Sequence, residues 1–172
     1  INVITFEDLG TGSSVSDLTI NALYSSKGNN KNSSIFYGTD YFVMRPEFFL
    51  IRDIIKEKHS HHIITLIFGG SDPANITLKA LKDLSKSINL HVNVVIGPAN
   101  KNAKKIKSYL ASKNINFNYS IHHNSNELSN IIKQSYLVIC SGGQTLYESI
   151  SLKIPAIVVT QDKRELTHGL LT

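Results

Sequence analysis

Residues 137–149, LVICSGGQTLYES, decide the fold of this chain. Leu137, Val138, Ile139 and Cys140 read as the end of a buried parallel strand, and Ser141, Gly142 and Gly143 turn the chain. Helical spacing follows over 144–152, with Leu146, Ile150 and Tyr147 on the inward side. A strand, a Gly-Gly turn and a helix start gather backbone N–H groups at one point, at the positive end of the helix dipole. Glycine matters there because a side chain would hold an anion away from the backbone. Glu148 follows Thr145 by about one turn, where its carboxylate can accept hydrogen bonds from two sugar hydroxyls. The stretch reads as a nucleotide seat. The plainer alternative makes Glu148 an exposed helix residue and Gln144 and Thr145 simple caps.

A chain of 172 residues with 41% hydrophobic content can bury one full domain, or one plus a piece. Its longest apolar runs are strand-sized, so no integral membrane segment is expected. The chain opens at Ile1 inside a strand-like run without an initiator Met or a signal peptide, and we expect a fragment of a longer protein. Cys140 is the single cysteine, which excludes an internal disulfide and fits a reducing cytoplasm. It reads as a small buried hydrophobe rather than a nucleophile. The formal charge of +5 raises nucleic acid as a partner, but the lysines are scattered over two helical stretches. Lys79, Lys82 and Lys86 lie on one, and Lys101, Lys104, Lys105 and Lys107 on the other. No aromatic ladder interleaves with them, so no nucleic-acid partner is expected.

Around the opening stretch the chain alternates in type. Residues 1–6 and 18–23 read as short strands, and 25–34 as a polar loop. Arg45-Pro46-Glu47 suits a helix start. From residue 63 the rhythm is regular, with strands over 63–68, 92–96, 115–121, 137–140 and 154–159. Helices are expected over 74–88, 102–113, 127–133 and 144–152, and another begins at Arg164. Repeated strand–helix units predict an α/β, Rossmann-like parallel sheet with helices on both faces. Right-handed crossovers then bring every loop after a strand to one rim, where such folds bind ligands.

Gly69-Gly70-Ser71-Asp72 is the second strand-end turn on that rim. Its backbone and the Ser71 hydroxyl either face a phosphate or form a tight turn capped by Ser71 or Asp72. Neither glycine turn has Walker A or GxGxxG spacing, which removes the signatures of ATP hydrolysis and NAD chemistry, and no cofactor is expected. His59, His61 and His62 precede a strand, on the far rim and without Cys or carboxylate in ligand spacing; they read as a linker, and no metal is expected. His122 and His123 reach the binding rim in a loop. Arg164 and His168 fall on one face of the last helix. Glu7 and Asp8 follow a strand end, where a carboxylate either steers a water or caps a turn.

These residues resemble the nucleotide-sugar proteins of the two-domain GT-B architecture, most nearly the UDP-sugar hydrolases of pseudaminic-acid synthesis and the spore-coat polysaccharide proteins (PseG/SpsG-like). The likeness is carried by EDLG at 7–10, NALY at 21–24, YGTDYFVMRPEF at 37–48, FGGSDP at 68–73, IGP at 96–98, SGGQTLYE at 141–148 and RELTH at 164–168. It is more distant to the peptidoglycan enzyme that adds N-acetylglucosamine to lipid I. The resemblance implies that residues 48–172 are the UDP-binding C-terminal domain, truncated at its end, and 1–47 the tail of an N-terminal domain with Asp8 as a catalytic candidate. It further implies that the loop from His123 through Asn124 to Glu127 holds the uracil, Glu148 the ribose, and Gly70, Ser71, Gly143, Gln144 and Thr145 the diphosphate. Gly69, Gly97, Ser141, Gly142, Arg164 and His168 complete the implied substrate-binding set. The implied partners are a UDP-sugar and the rest of the N-terminal domain.

The family's histidine-bearing glycine loop is absent, and Gln161-Asp162 stands where an Asn-Gln pair is usual, so the chain alone is expected to be inactive. Three other readings stay open. One is a UDP-sugar-dependent glycosyltransferase; another is a non-catalytic nucleotide-sugar module fused to a cytidylyltransferase; the third is a small regulatory Rossmann domain that binds some other anion.

Overall fold

The computed structural model describes residues 2–26, 34–52, 62–112 and 115–168. His59, His61 and most of the polar loop at 25–34 lie outside them. The chain divides into two compact units: residues 1–43 with 162–172, and residues 44–161.

The larger unit holds α1 (Pro46–Arg52), β4 (Ile63–Ile67), α2 (Ile76–Leu84), β5 (His91–Ile96) and α3 (Ala103–Leu110), then β6 (Asn118–His123), α4 (Leu128–Lys133), β7 (Leu137–Cys140), α5 (Gln144–Ser151) and β8 (Ala156–Val158). Its strands form a sheet in the order β6-β5-β4-β7-β8, and every pair is parallel. The expected α/β Rossmann-like sheet is what forms. One face, through Leu66, Phe68, Val92, Val94 and Ile96, packs on Ile76 and Leu81 of α2 and Ile106 and Leu110 of α3. The other carries α4 and α5, with α1 against both. Strands covered on both faces read as nearly continuous β-branched runs, which is why IITLI and HVNVVI lack a clean alternation.

Several boundaries differ from the sequence reading, each for a local reason. The 74–88 helix starts only at Ile76, because both Asp72 carboxylate oxygens accept from the first turn, Ile76 N at 2.8 Å and Thr77 N at 3.0 Å. It ends at Leu84, and Asn89, in the left-handed region at φ 59°, turns the chain into β5. The sixth strand is displaced toward its C-terminus, since pairing with β5 runs from His91 opposite Asn118 to Ile96 opposite His123. His122 and His123 are therefore strand residues rather than loop residues. On α5, Leu146, Tyr147, Glu148 and Ser149 are buried while Ile150 is 50% exposed, so the inward face is rotated from the one expected.

The smaller unit contains β1 (Ile4–Phe6), β2 (Leu18–Asn21) and β3 (Ile35–Tyr37), a parallel sheet in that order. Here β3 was not expected. β2 stops at Asn21 because the N–H groups of Ala22 and Leu23 donate to the Glu7 carboxylate. The helix expected from Arg164 is, in its described part, a single 3-10 turn at Glu165–Thr167. His168 then takes extended backbone (φ −70°, ψ 136°) and bridges antiparallel to Tyr24. Arg164 and His168 do not share a helix face.

Candidate nucleotide-binding site

The two glycine turns leave adjacent strands. β4 and β7 are neighbours in register, Ile67 opposite Cys140, so Gly69-Gly70-Ser71 and Ser141-Gly142-Gly143 start side by side on the carboxyl rim. Gly97, at the end of the next strand, packs so closely on the first turn that a Cβ there would overlap the Gly69 and Gly70 backbone. Ala99 N donates to the Gly70 carbonyl at 2.9 Å, tying the two loops together. Gly69 itself is in the left-handed region, φ 71°. A Cβ built at Gly70 or Gly143 meets nothing within 4 Å, so open space lies in front of both.

The two helix starts behind these turns are not equivalent. At α2 the buried Asp72 carboxylate already faces the positive end of the dipole and takes two of its N–H groups. What this first loop offers the rim is the Gly70 backbone and the exposed Ser71. At α5 the cap position is Gly143, and among the described residues no side chain caps it. The N–H groups of Gln144 and Thr145 precede any carbonyl four residues back within the helix. Of the two, α5 is the end that still has donors to give an anion.

One turn into α5, Glu148 is 2% exposed and is not the surface residue that its type suggests. Its Oε1 accepts from Arg45 Nε at 2.7 Å, an ion pair spanning 103 positions of sequence. Arg45 also lies 3.5 Å from Glu47 and stacks over the Phe48 ring, 5.0 Å from its centroid. The hydrogen bond to Glu148 raises Arg45 above its ordinary value. At the third strand end His123 is exposed, and Asn124, at φ 50°, donates its N–H to the Ile96 carbonyl at 3.1 Å. His122 turns to the opposite face, where its Nε2 pairs with Asn93 Oδ1 at 3.2 Å. Burial, with help from His91, pushes His122 below the usual imidazole range.

The larger unit thus brings together Gly69, Gly70, Ser71, Gly97, His123, Asn124, Ser141, Gly142, Gly143, Gln144 and Thr145 on one rim, with Glu148 just behind. Asp8, Arg164 and His168 belong to the other unit. Asp8 Oδ1 accepts from Gly10 N at 2.7 Å, the geometry of a turn cap. Glu7, at φ 53°, accepts from Ala22 and Leu23; burial pushes its carboxyl up, against the pull of those bonds and of His168. His168 is buried edge-on against Tyr24, with ring centroids 5.0 Å apart.

Two residues of the site were given no part in binding by the sequence. Gln161 Nε2 donates to the Phe68 carbonyl at 3.0 Å, holding the base of the first glycine turn. Arg45 carried a helix-start signal and lay in the resembling stretch at 37–48, with no partner assigned. No spacing rule connects either to its partner. Among the described residues no group of His, Cys, Asp and Glu is arranged to hold a metal, and no helix is long and apolar enough to cross a membrane.

A parallel sheet with glycine turns side by side on its carboxyl rim defines a Rossmann-like unit, and folds of this kind bind ligands at that rim. The chain belongs to the glycosyltransferase family 28 C-terminal domain family, whose model matches residues 64–168, and is glycosyltransferase-like in that sense. It is 31% identical over 159 residues to the uncharacterized protein MJ1062 of Methanocaldococcus jannaschii, a match covering 86% of this chain and 33% of that protein. It is 26% identical over 167 residues to the spore coat polysaccharide biosynthesis protein SpsG of Bacillus subtilis, covering 92% of this chain and 48% of SpsG. The chain therefore spans a third to a half of the curated relatives it matches.

Proposed function

We propose that residues 44–161 form the UDP-sugar seat of a cytoplasmic hydrolase that releases UDP and a free amino-sugar in nonulosonic-acid or surface-polysaccharide synthesis. The observation that carries this reading is the uncapped start of α5 beside the Gly70 turn, with open space before both glycines. In this reading the diphosphate takes the Gln144 and Thr145 N–H groups, with Ser71 and the Gly70 backbone on its other side. Glu148 accepts from the ribose, and the base lies toward His123 and Asn124. Charge builds on the departing diphosphate as water attacks the anomeric carbon, and the α5 dipole stabilises that charge where it develops. The likeness to SpsG, a spore coat polysaccharide biosynthesis protein, supports a polysaccharide pathway.

A glycosyltransferase with the same seat is the second reading, and family membership favours it. Calorimetric titration of the chain with UDP, CDP, GDP and inorganic phosphate tests the seat. UDP is expected to bind most tightly, and equal or absent binding of all four overturns the proposal. Product analysis of the full-length parent, free sugar against glycoside, separates hydrolase from transferase.

A further inference from the structure

Glu148 poses a question that the nucleotide seat does not answer by itself. Its side chain is only 3% exposed, and an isolated carboxylate so deep is costly unless a cation and hydrogen bonds accompany it. Arg45 supplies the cation, but in an unusual manner. It reaches Glu148 through Nε alone and onto Oε1 alone, at 2.7 Å. Among the described residues the Glu148 carboxylate accepts this bond through Oε1, and Oε2 takes none. A pair built for stability alone would gain from engaging both oxygens in the bidentate fork that guanidinium favours, and an apolar replacement would serve a core as well. The Arg45 side chain is itself 42% exposed and is steadied from two other directions, by Glu47 at 3.5 Å and by the fully buried Phe48 ring beneath it. Pro46 follows it directly and starts α1, so the backbone that carries Arg45 is anchored to a helix packed on α5.

We infer that Arg45 is the positioning residue of the site: it clamps Glu148 by Oε1 so that Oε2 is presented in one orientation to the hydroxyls of the bound ribose. This rests on the nucleotide reading above and adds to it a second side chain from a distant part of the chain. Arg45 acts through Glu148 and touches no phosphate in this arrangement.

The test compares UDP with 2′,3′-dideoxy-UDP by calorimetry, on the whole chain and on Arg45→Ala, Arg45→Lys, Glu148→Ala and Arg45→Ala/Glu148→Ala. The unsubstituted chain should prefer UDP by about tenfold or more, the range of hydrogen bonds to a charged acceptor. Arg45→Ala should lose most of that preference while its affinity for the dideoxy nucleotide stays within about twofold, and Arg45→Lys should recover part of it. The double variant should lose nothing beyond Glu148→Ala, since residues acting as one unit are not additive. Should Arg45→Ala fail to fold, judged by circular dichroism, Arg45→Gln carries the same comparison. A variant that keeps the full preference reduces Arg45 to packing and overturns the inference. Equal weakening of both nucleotides makes the guanidinium a phosphate ligand and overturns it too. A chain that takes no UDP overturns the nucleotide reading and this inference together, whereas UDP binding unaffected by Arg45→Ala overturns this inference alone.

Discussion

Gly97 and Gly70 are neighbours whose replacement by alanine should have opposite consequences. A Cβ on Gly97 would lie 2.5 Å from both the Gly69 carbonyl oxygen and the Gly70 Cα, with the Gly70 oxygen nearer still. All of these are backbone atoms, so no side-chain rotation relieves the overlap and the first glycine turn must shift. Overpacking of this kind costs about 1–3 kcal/mol. Loss of the Ala99 N–H to Gly70 bond would add about 1 kcal/mol. For a chain of this size, Gly97→Ala should lower the melting temperature by an amount on the order of 10 °C. Gly70→Ala meets nothing within 4 Å, and its stability should stay within about 0.5 kcal/mol of the unsubstituted chain. Its methyl enters the space assigned to the diphosphate, so its UDP affinity should fall instead. Thermal unfolding by circular dichroism and UDP calorimetry on both variants decide the matter. Gly97→Ala melting with the parent chain, or Gly70→Ala destabilised as strongly as Gly97→Ala, would refute the reasoning.

Three further expectations concern the scaffold. Asp72→Ala strips two buried N–H groups of their acceptor and should destabilise the larger unit by about 1–3 kcal/mol in urea titration, with no loss if the helix start is satisfied another way. Burial keeps His122 below its ordinary value of 6.5, so the unfolded chain protonates there first. The stability due to neutral His122 is therefore complete above that pH and declines as pH drops through it toward the lower folded-state value. Urea midpoints from pH 7.5 to 5 should show this decline, and His122→Gln should flatten it. Cys140 is fully buried at the end of β7, so its alkylation should track unfolding; rapid labelling of the native chain would contradict its role as a core residue.

Strand existence in the larger unit was legible because β-branched runs such as IITLI and LVIC leave little choice once glycine turns bound them. Ends were less so. β3 is only Ile35–Tyr37, too short for a periodic signal, and is a strand because Thr19, Ile20 and Asn21 pair with it. The last segment shows the same limit from the other side. RELTH has helical spacing, yet the buried His168 ring and its bridge to Tyr24 draw the backbone out of the helix after one 3-10 turn.

Local composition was enough to determine the alternation of strands and helices, the two glycine turns and their common rim, because periodicity and turn chemistry act over a few residues and crossover handedness does the rest. Which turn keeps its helix donors open, and which closes them on Asp72, depended on where one carboxylate points. The burial of Glu148 and its capture by Arg45 depended on packing across 103 positions. Such pairings are decided by tertiary contact alone, since desolvation and ion pairing act through space and leave no spacing in the chain.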